Sequence, residues 1–165
     1  MVTRIAKTLL LAGIALLYSL IVFDNLTDFD SNYQFVRHVL LMDSTFPGNH
    51  GMWRAVRFPA VHLAFYVSII AWEVVSAVSL WWGVLVLFRA ARAPAASFNV
   101  AKRIPIAALT LSLLMWLVAF LTIGSNWFLM WQSRIWDGQQ AAVEMFLVVG
   151  IVLLILLQPE KEDQP

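Results

Sequence analysis

The chain has 165 residues, of which 61% are apolar and 13% charged, with a formal net charge of +1 and a mean hydropathy of +0.79. A soluble domain has about half apolar and roughly a quarter charged residues, so a chain this short could not bury its apolar surface in water. The small net charge excludes a nucleic-acid partner. Because the chain has no cysteine, disulfides, thiolate metal sites and cysteine nucleophiles are excluded too. These properties predict a small integral membrane protein.

Four apolar segments are long enough to cross a bilayer, which requires about 20 helical residues. They cover about residues 5–23, 60–88, 104–124 and 140–157, and no internal repeat relates them. Lys7 is near enough to the end of the first segment for its ammonium to reach water. The lack of a small-residue cleavage site after Phe23 favours a retained helix over a signal peptide. We predict an all-α membrane protein, a four-helix antiparallel transmembrane bundle that forms a single domain over 1–165.

Basic residues indicate the orientation of this bundle, because cytoplasmic loops of membrane proteins are enriched in Lys and Arg. The segment between the second and third spans contains Arg89, Arg92, Lys102 and Arg103. An even number of spans places both termini on that same side. We therefore predict a multi-pass protein with both termini in the cytoplasm, and with residues 24–59 and 125–139 as outer loops.

The first outer loop is too long for a passive connection, since structureless loops beyond about 12–15 residues are uncommon in compact folds. Ser31 can cap a short helix over 32–43, whose apolar face consists of Phe35, Val36, Val39, Leu40 and Met42. Pro47, Gly48 and Gly51 then favour tight turns. We predict an ordered helical outer loop between spans one and two, with Trp53 buried against the ends of the helices.

Three runs of sequence resemble an uncharacterised bacterial family. They are FDNLTDFDSNYQFVRHVLLMDSTFPGNHGMWRA (Phe23 to Ala55), AWE (Ala71 to Glu73) and NWFLMWQSRIWDGQ (Asn126 to Gln139). The family is described only as predicted small integral membrane proteins, a domain of unknown function, and the resemblance covers nearly the whole chain. It implies four spans and a location in the bacterial inner (plasma) membrane, and it implies no catalytic residue.

Glu73 lies near the middle of the second span, where an isolated charge costs about 3 kcal/mol or more. The carboxyl group must therefore be protonated, paired or in contact with water. At about 100° per residue, an intramembrane polar stripe on one helix face contains His62, Tyr66, Glu73 and Ser76. We favour a structural role, in which a protonated Glu73 donates a hydrogen bond to Ser112 or Thr110 of a neighbouring helix or to a backbone carbonyl. The alternative is a proton path with Glu73 at its base and His62 at its mouth.

Polar and aromatic side chains of the outer loops form the predicted recognition surface, which contains Asp24, Asp28, Asp30, Arg37, His38, His50, Trp53 and Trp131. Imidazoles and carboxylates could bind zinc or copper, but no HxH, HxxxH or HExxH motif places two ligands together. We therefore expect no metal, and we expect the loop carboxylates to pair with Arg37, Arg54 and Arg57. Glu144 is likewise expected to pair with Arg134 or Arg57.

The chain contains no Gly-rich phosphate loop, no Ser/His/Asp order and no paired-carboxylate motif. We therefore expect a protein that is not an enzyme and has no cofactor. The favoured function is an accessory or scaffolding subunit that recognises a partner through its outer loop. Expected partners are membrane lipids and either a membrane protein or a second copy of the chain. The alternative is a small transporter or proton-coupled channel that uses Glu73.

Overall fold

The computed structural model describes residues 1–161, and this part of the chain is helical with no strand. Four helices are long and apolar enough to cross a membrane: Val2–Thr27, Pro59–Ala90, Ala95–Trp127 and Gln139–Leu157. Each of them contains one of the four apolar segments and extends beyond it. The predicted all-α fold with four membrane helices is confirmed.

The third long helix, Ala95–Trp127, consists of three consecutive helical parts. A shorter helix lies between the first and the second long helices in the chain. In chain order the elements are α1 (Val2–Thr27), α2 (Phe29–Leu41), α3 (Pro59–Ala90), α4 (Ala95–Ala101), α5 (Arg103–Leu114), a π-helix (Met115–Trp127) and α6 (Gln139–Leu157). Single 3-10 turns, Met52–Arg54 and Met130–Gln132, lie in the two loops.

Contacts divide the chain into two compact units. Unit 1 contains Met1–Ile21, Glu73–Leu113 and the described residues from Leu147 onwards, and unit 2 contains Val22–Trp72 and Leu114–Phe146. Each of the four long helices therefore contributes residues to both units. The single domain over 1–165 stays a prediction.

Close packing between α3 and α5 characterises unit 1. A Cβ atom built on Gly83 would lie 2.8 Å from the Cβ atom of Pro105 and 3.4 Å from a methyl group of Leu11, so only glycine fits at this crossing. The hydroxyl of Tyr18 donates a hydrogen bond to the main-chain oxygen of Ser112 over 3.1 Å. Other buried residues of this core include the aliphatic side chains of Leu80, Leu87, Leu109, Val149 and Leu156.

Helix α2 gives unit 2 its core. Its buried residues Val36 and Leu40, followed by Met42, pack in one apolar cluster with Tyr66, Ile69, Ile70 and Phe128. The helix ends at Leu41, and the residue that caps it, Met42, has a left-handed backbone (φ 54°) and donates its N–H to the oxygen of Val39. This burial of one face explains why the loop is ordered.

The predicted cap at Ser31 is wrong, because α2 begins earlier, at Phe29. Asp28 occupies the N-cap position without a side-chain cap hydrogen bond. Its N–H donates to the oxygen of Asp24 over 2.8 Å, so helical hydrogen bonding passes from α1 towards α2 almost without a break. The chain needs no separate cap to start the second helix.

The π-helix is the feature that the hydropathy pattern does not reveal. It covers 13 residues, whereas most π-helices are single turns inside α-helices. Two polar side chains bond main-chain oxygens five residues earlier, which is the hydrogen-bond spacing of a π-helix. Thr122 donates to the oxygen of Leu117 over 2.8 Å, and Asn126 donates to the oxygen of Leu121 over 2.6 Å. With α2 and α3 it surrounds a small apolar cavity of about 30 Å³.

Candidate functional site

The two loops of unit 2 are tied together by polar side chains. The hydroxyl of Ser44 donates to the hydroxyl oxygen of Ser133 over 2.8 Å. The amide oxygen of Gln132 accepts hydrogen bonds from the N–H of Phe46 at 3.2 Å and from the side chain of Asn49 at 3.4 Å. These bonds join residues more than 80 positions apart, so the second loop orders the first.

Arg54 lies between two tryptophan rings in these loops. Its guanidinium carbon is 5.4 Å from the ring centre of Trp53 and 5.3 Å from that of Trp127, and the two rings meet edge to face at 5.8 Å. Arg54 also donates to the main-chain oxygen of Trp127 over 3.2 Å. Such cation–π contacts contribute about 0.5–1 kcal/mol each at exposed sites.

The prediction that Trp53 is buried is wrong: the residue is 72% exposed. Its ring packs on Arg54 and Trp127 rather than under the ends of the helices. Trp131 is also exposed, with its ring edge-on to Phe46 at 5.7 Å. The aromatic side chains of Trp53 and Trp131 are therefore exposed on the loops and not buried beneath them.

His38, one of the predicted recognition residues, is held by two close side-chain contacts. Its Nδ1 atom lies 2.7 Å from a carboxylate oxygen of Asp43, and its ring stacks on Trp136 at 4.7 Å with the planes 5° apart. The neighbouring Arg37 points elsewhere and donates to the amide oxygen of Gln34 over 2.9 Å. One carboxylate and one indole thus hold the imidazole in place.

The other predicted loop residues are exposed and do not converge; these are Asp24, Asp28, Asp30 and His50. Within residues 1–161, no three His, Asp or Glu side chains are grouped closely enough to hold a metal ion. The predicted pairing of the loop carboxylates with arginines is also wrong, since the described part of the chain contains no Asp–Arg ion pair. The loop arginine Arg54 bonds main-chain oxygens and aromatic rings instead.

Glu144 also has a different partner from the predicted one. Its carboxylate accepts a hydrogen bond from the side chain of Gln140 over 3.0 Å, one helical turn away on α6. Among residues 1–161 it forms no ion pair with Arg134 or Arg57. The local amide, at i−4 on the same helix, is within easier reach than either arginine.

The first two members of the polar stripe belong to unit 2. His62 is buried, and its Nε2 atom lies 2.8 Å from the main-chain oxygen of Val56, so it acts as the donor. The buried hydroxyl of Tyr66 donates towards both oxygens of Asn25, each at 3.1 Å. Both side chains bond the chain segments that precede α3.

The other two members, Glu73 and Ser76, belong to unit 1. Glu73 is 2% exposed, and Ser76 is fully buried. The Ser76 hydroxyl has no hydrogen-bond partner among residues 1–161. The hydroxyls of Ser112 and Thr110 donate to the backbone of their own helix, at 2.9 Å and 2.8 Å respectively.

A second polar cluster, which the sequence did not predict, joins residues near the two ends of the chain in unit 1. The ammonium of Lys7 donates to the oxygen of Gln158 over 2.6 Å and to the carboxylate of Glu160 over 2.5 Å. Lys102 donates to the same Gln158 oxygen over 2.8 Å. Both lysines are buried, so the prediction that Lys7 reaches water is wrong. We call these four residues the terminal cluster.

The charge of Glu160 is stabilised by its neighbours in the terminal cluster. Burial alone would raise the pKa of this carboxyl group. The hydrogen bond and charge of Lys7, a hydrogen bond from Thr3 and the charge of Lys102 outweigh that effect and lower the pKa of Glu160 below its ordinary value of 4.5. Main-chain groups of Glu160 also bond the side chain of Asn99, at 3.0 Å in both directions.

Comparison with known proteins identifies a family that matches this chain. The model of a family described as predicted small integral membrane protein (DUF2165) matches residues 3–159. No curated protein and no solved structure matches the chain significantly. Apart from Val2, the matched range includes all four membrane helices, and it includes both loops of unit 2. The chain belongs to this family of predicted small integral membrane proteins.

Proposed function

We propose that the protein is a non-enzymatic accessory or scaffolding subunit of the bacterial inner membrane, and that it binds a membrane protein through the loops of unit 2. One observation carries the proposal: these loops are ordered by their own contacts and still expose large apolar side chains. We define the loop surface as Phe46, Trp53, Phe58, Trp131 and Ile135, all of which are exposed.

The contacts that order the loops leave the loop surface free to bind. Gln132 and Ser133 form polar bonds across the two loops, while Ile135 in the same loop is 76% exposed. Because the loops are already ordered, binding would cost less conformational entropy than it would in a flexible segment. Exposed Trp side chains are also typical of the residues that dominate protein interfaces.

Charge substitutions in the loop surface test this proposal. We expect a membrane protein that co-purifies with the parent chain in mild detergent to be reduced at least tenfold by Ile135→Glu or Phe58→Glu, because each change would bury an unpaired carboxylate in the interface. Ser31→Glu is the matched control, since Ser31 is an exposed residue of α2 in unit 2 and lies outside the loop surface. Equal recovery of the same partner with all three variants would contradict the proposal.

A small transporter or proton-coupled channel is the second candidate, and the buried Ser76 hydroxyl favours it. This group lies three residues after Glu73 on α3 and has no hydrogen-bond partner among residues 1–161, as a group lining a polar path would. In this case Glu73→Gln should abolish proton or solute flux in vesicles and leave assembly intact, because an amide cannot titrate. An accessory subunit should keep its partner with Glu73→Gln and lose it with Glu73→Leu.

A further inference from the structure

An open groove with apolar walls lies in unit 1, between the first turns of α1 and the end of α3. Its volume is about 570 Å³, within the range of about 300–1,000 Å³ that is usual for ligand pockets. Ile5, Leu9 and Phe88 line it with exposed apolar surface. Phe88 is 73% exposed, so the groove offers a long apolar face to whatever occupies it.

Two arginines complete the lining of this groove. Arg89 belongs to the last turn of α3, and Arg92 follows in the next turn. Both are exposed, and neither forms an ion pair with any residue in 1–161. The carboxylates of unit 1 in this range are Glu73, which is buried, and Glu160, which bonds Lys7. The two guanidinium groups are therefore available to an external anion.

Arg4 covers two main-chain oxygens in the turn that follows α3. The last carbonyl groups of a helix carry partial negative charge, and α3 ends at this groove. The Nη1 atom of Arg4 donates to the oxygen of Ala91 over 3.2 Å and to that of Ala93 over 2.6 Å. Its guanidinium also lies 5.2 Å from the ring centre of Phe98. Ala91 and Ala93 lie just beyond the last residue of α3, Ala90, so Arg4 places a positive charge near this end of the helix. Part of that charge is offset by Glu160, whose carboxylate lies 3.8 Å from the Nε atom of Arg4.

We propose that this groove binds one anionic phospholipid. The phosphate is held by Arg89 and Arg92, and an acyl chain lies along Ile5, Leu9 and Phe88. Guanidinium groups suit phosphate because they present paired N–H donors, and basic pockets between membrane helices are a recognised setting for anionic headgroups. A ligand without an acyl chain would leave the apolar face uncovered, and a choline headgroup would bring a positive charge near the arginines.

The test measures lipid binding to the purified full chain by native mass spectrometry and by thermal stabilisation in detergent. The ligands are phosphatidylglycerol, phosphatidylcholine with the same acyl chains, and inorganic phosphate. We expect phosphatidylglycerol to bind at least tenfold more tightly than phosphatidylcholine, and we expect phosphate not to displace it at equal concentration.

Two variants assign the binding to this groove. Arg89→Gln with Arg92→Gln should weaken phosphatidylglycerol binding by about 10- to 30-fold, since each basic side chain near an anionic lipid surface contributes roughly fivefold. Arg103→Gln is the matched control, because Arg103 is an exposed basic residue of unit 1 that does not line the groove. It should change binding less than threefold. If the double variant does not fold, Arg92→Gln alone should give a loss of about fivefold.

Three outcomes would overturn the proposal. Binding by the double variant at parent strength would show that the arginines do not hold the headgroup. An equal loss with Arg103→Gln would show diffuse attraction to a basic surface. Displacement of the lipid by inorganic phosphate at equal concentration would show a site for a free anion.

Discussion

At the scale of single residues, the terminal cluster explains how two lysines are tolerated in the interior. Moving an ammonium group out of water costs several kcal/mol unless it is paired and hydrogen-bonded. Lys7 and Lys102 share one main-chain oxygen, that of Gln158, and Lys7 also bonds the carboxylate of Glu160. Glu160 is therefore the counter-charge for both lysines.

Replacing this counter-charge should destabilise the fold. We expect Glu160→Gln to lower the free energy of unfolding by roughly 1.5–3 kcal/mol, the usual contribution of a hydrogen bond to a charged group. Glu144→Gln is the matched control: Glu144 is exposed and, within residues 1–161, bonds only to Gln140, so its effect should be within about 0.5 kcal/mol. Thermal unfolding in detergent at neutral pH measures both variants, and equal stability of the two would contradict this role of Glu160.

Acidification should reduce the difference between the parent and Glu160→Gln. The pKa of Glu160 is lower in the folded chain than its ordinary value of 4.5, so the folded state favours the ionised form. The resulting stability is present above pH 4.5 and is lost as the pH falls from there through the lowered folded value. Unfolding temperatures of both proteins, measured from neutral pH downwards, should converge in that range. A difference between the two unfolding temperatures that grows on acidification would contradict this prediction.

At the scale of helices, the crossing of α3 and α5 depends on a glycine. A Cβ atom on Gly83 would lie 2.8 Å from the Cβ and 3.0 Å from the Cα of Pro105. The Cα belongs to the backbone and cannot turn away as a flexible side chain could. We therefore expect Gly83→Ala to separate the two helices.

This substitution should cost about 1–3 kcal/mol, the usual effect of overpacking. Gly13→Ala is the matched control in α1, since a Cβ atom there would meet nothing within 4 Å. It should be neutral or stabilising by up to about 1 kcal/mol, because alanine loses less backbone entropy than glycine. Thermal unfolding of the two variants compares them directly, and similar melting temperatures would show that the crossing is not tight.

The four membrane helices could be predicted from the sequence because length and hydropathy alone define them. The π-helix Met115–Trp127 could not, since length and hydropathy do not distinguish a π-helix from an α-helix. Helix α2 was predicted from its apolar face, with its start misplaced by three residues because Ser31 has the residue type of a cap but does not occupy the N-cap position.

Site residues could be predicted only where the residue type contrasts with its neighbours in the sequence. Glu73 stands out as an acid within an apolar segment, and it is buried. The bond of Lys7 to Glu160 spans 153 positions, and no local pattern reveals such a pair. The setting of Arg54 between two indole rings likewise depends on two distant loops.

At the scale of the whole molecule, orientation in the membrane is the first proposal to test. The chain has no cysteine, so single cysteines can be introduced at His50 in the first loop and at Ser97 in α4, both of which are exposed. We expect a membrane-impermeant thiol reagent to label His50→Cys on intact cells, and Ser97→Cys only after permeabilisation. The reverse pattern would invert the proposed orientation.

Recognition of a membrane protein by the loop surface is the central claim, and photo-crosslinking in living cells tests it most directly. A photoreactive amino acid is placed at Ile135, or at Leu154 on α6 as an exposed apolar control. We expect one discrete protein adduct from Ile135, identical to the partner lost with Ile135→Glu, and lipid adducts alone from Leu154. Lipid adducts alone from both positions would contradict it.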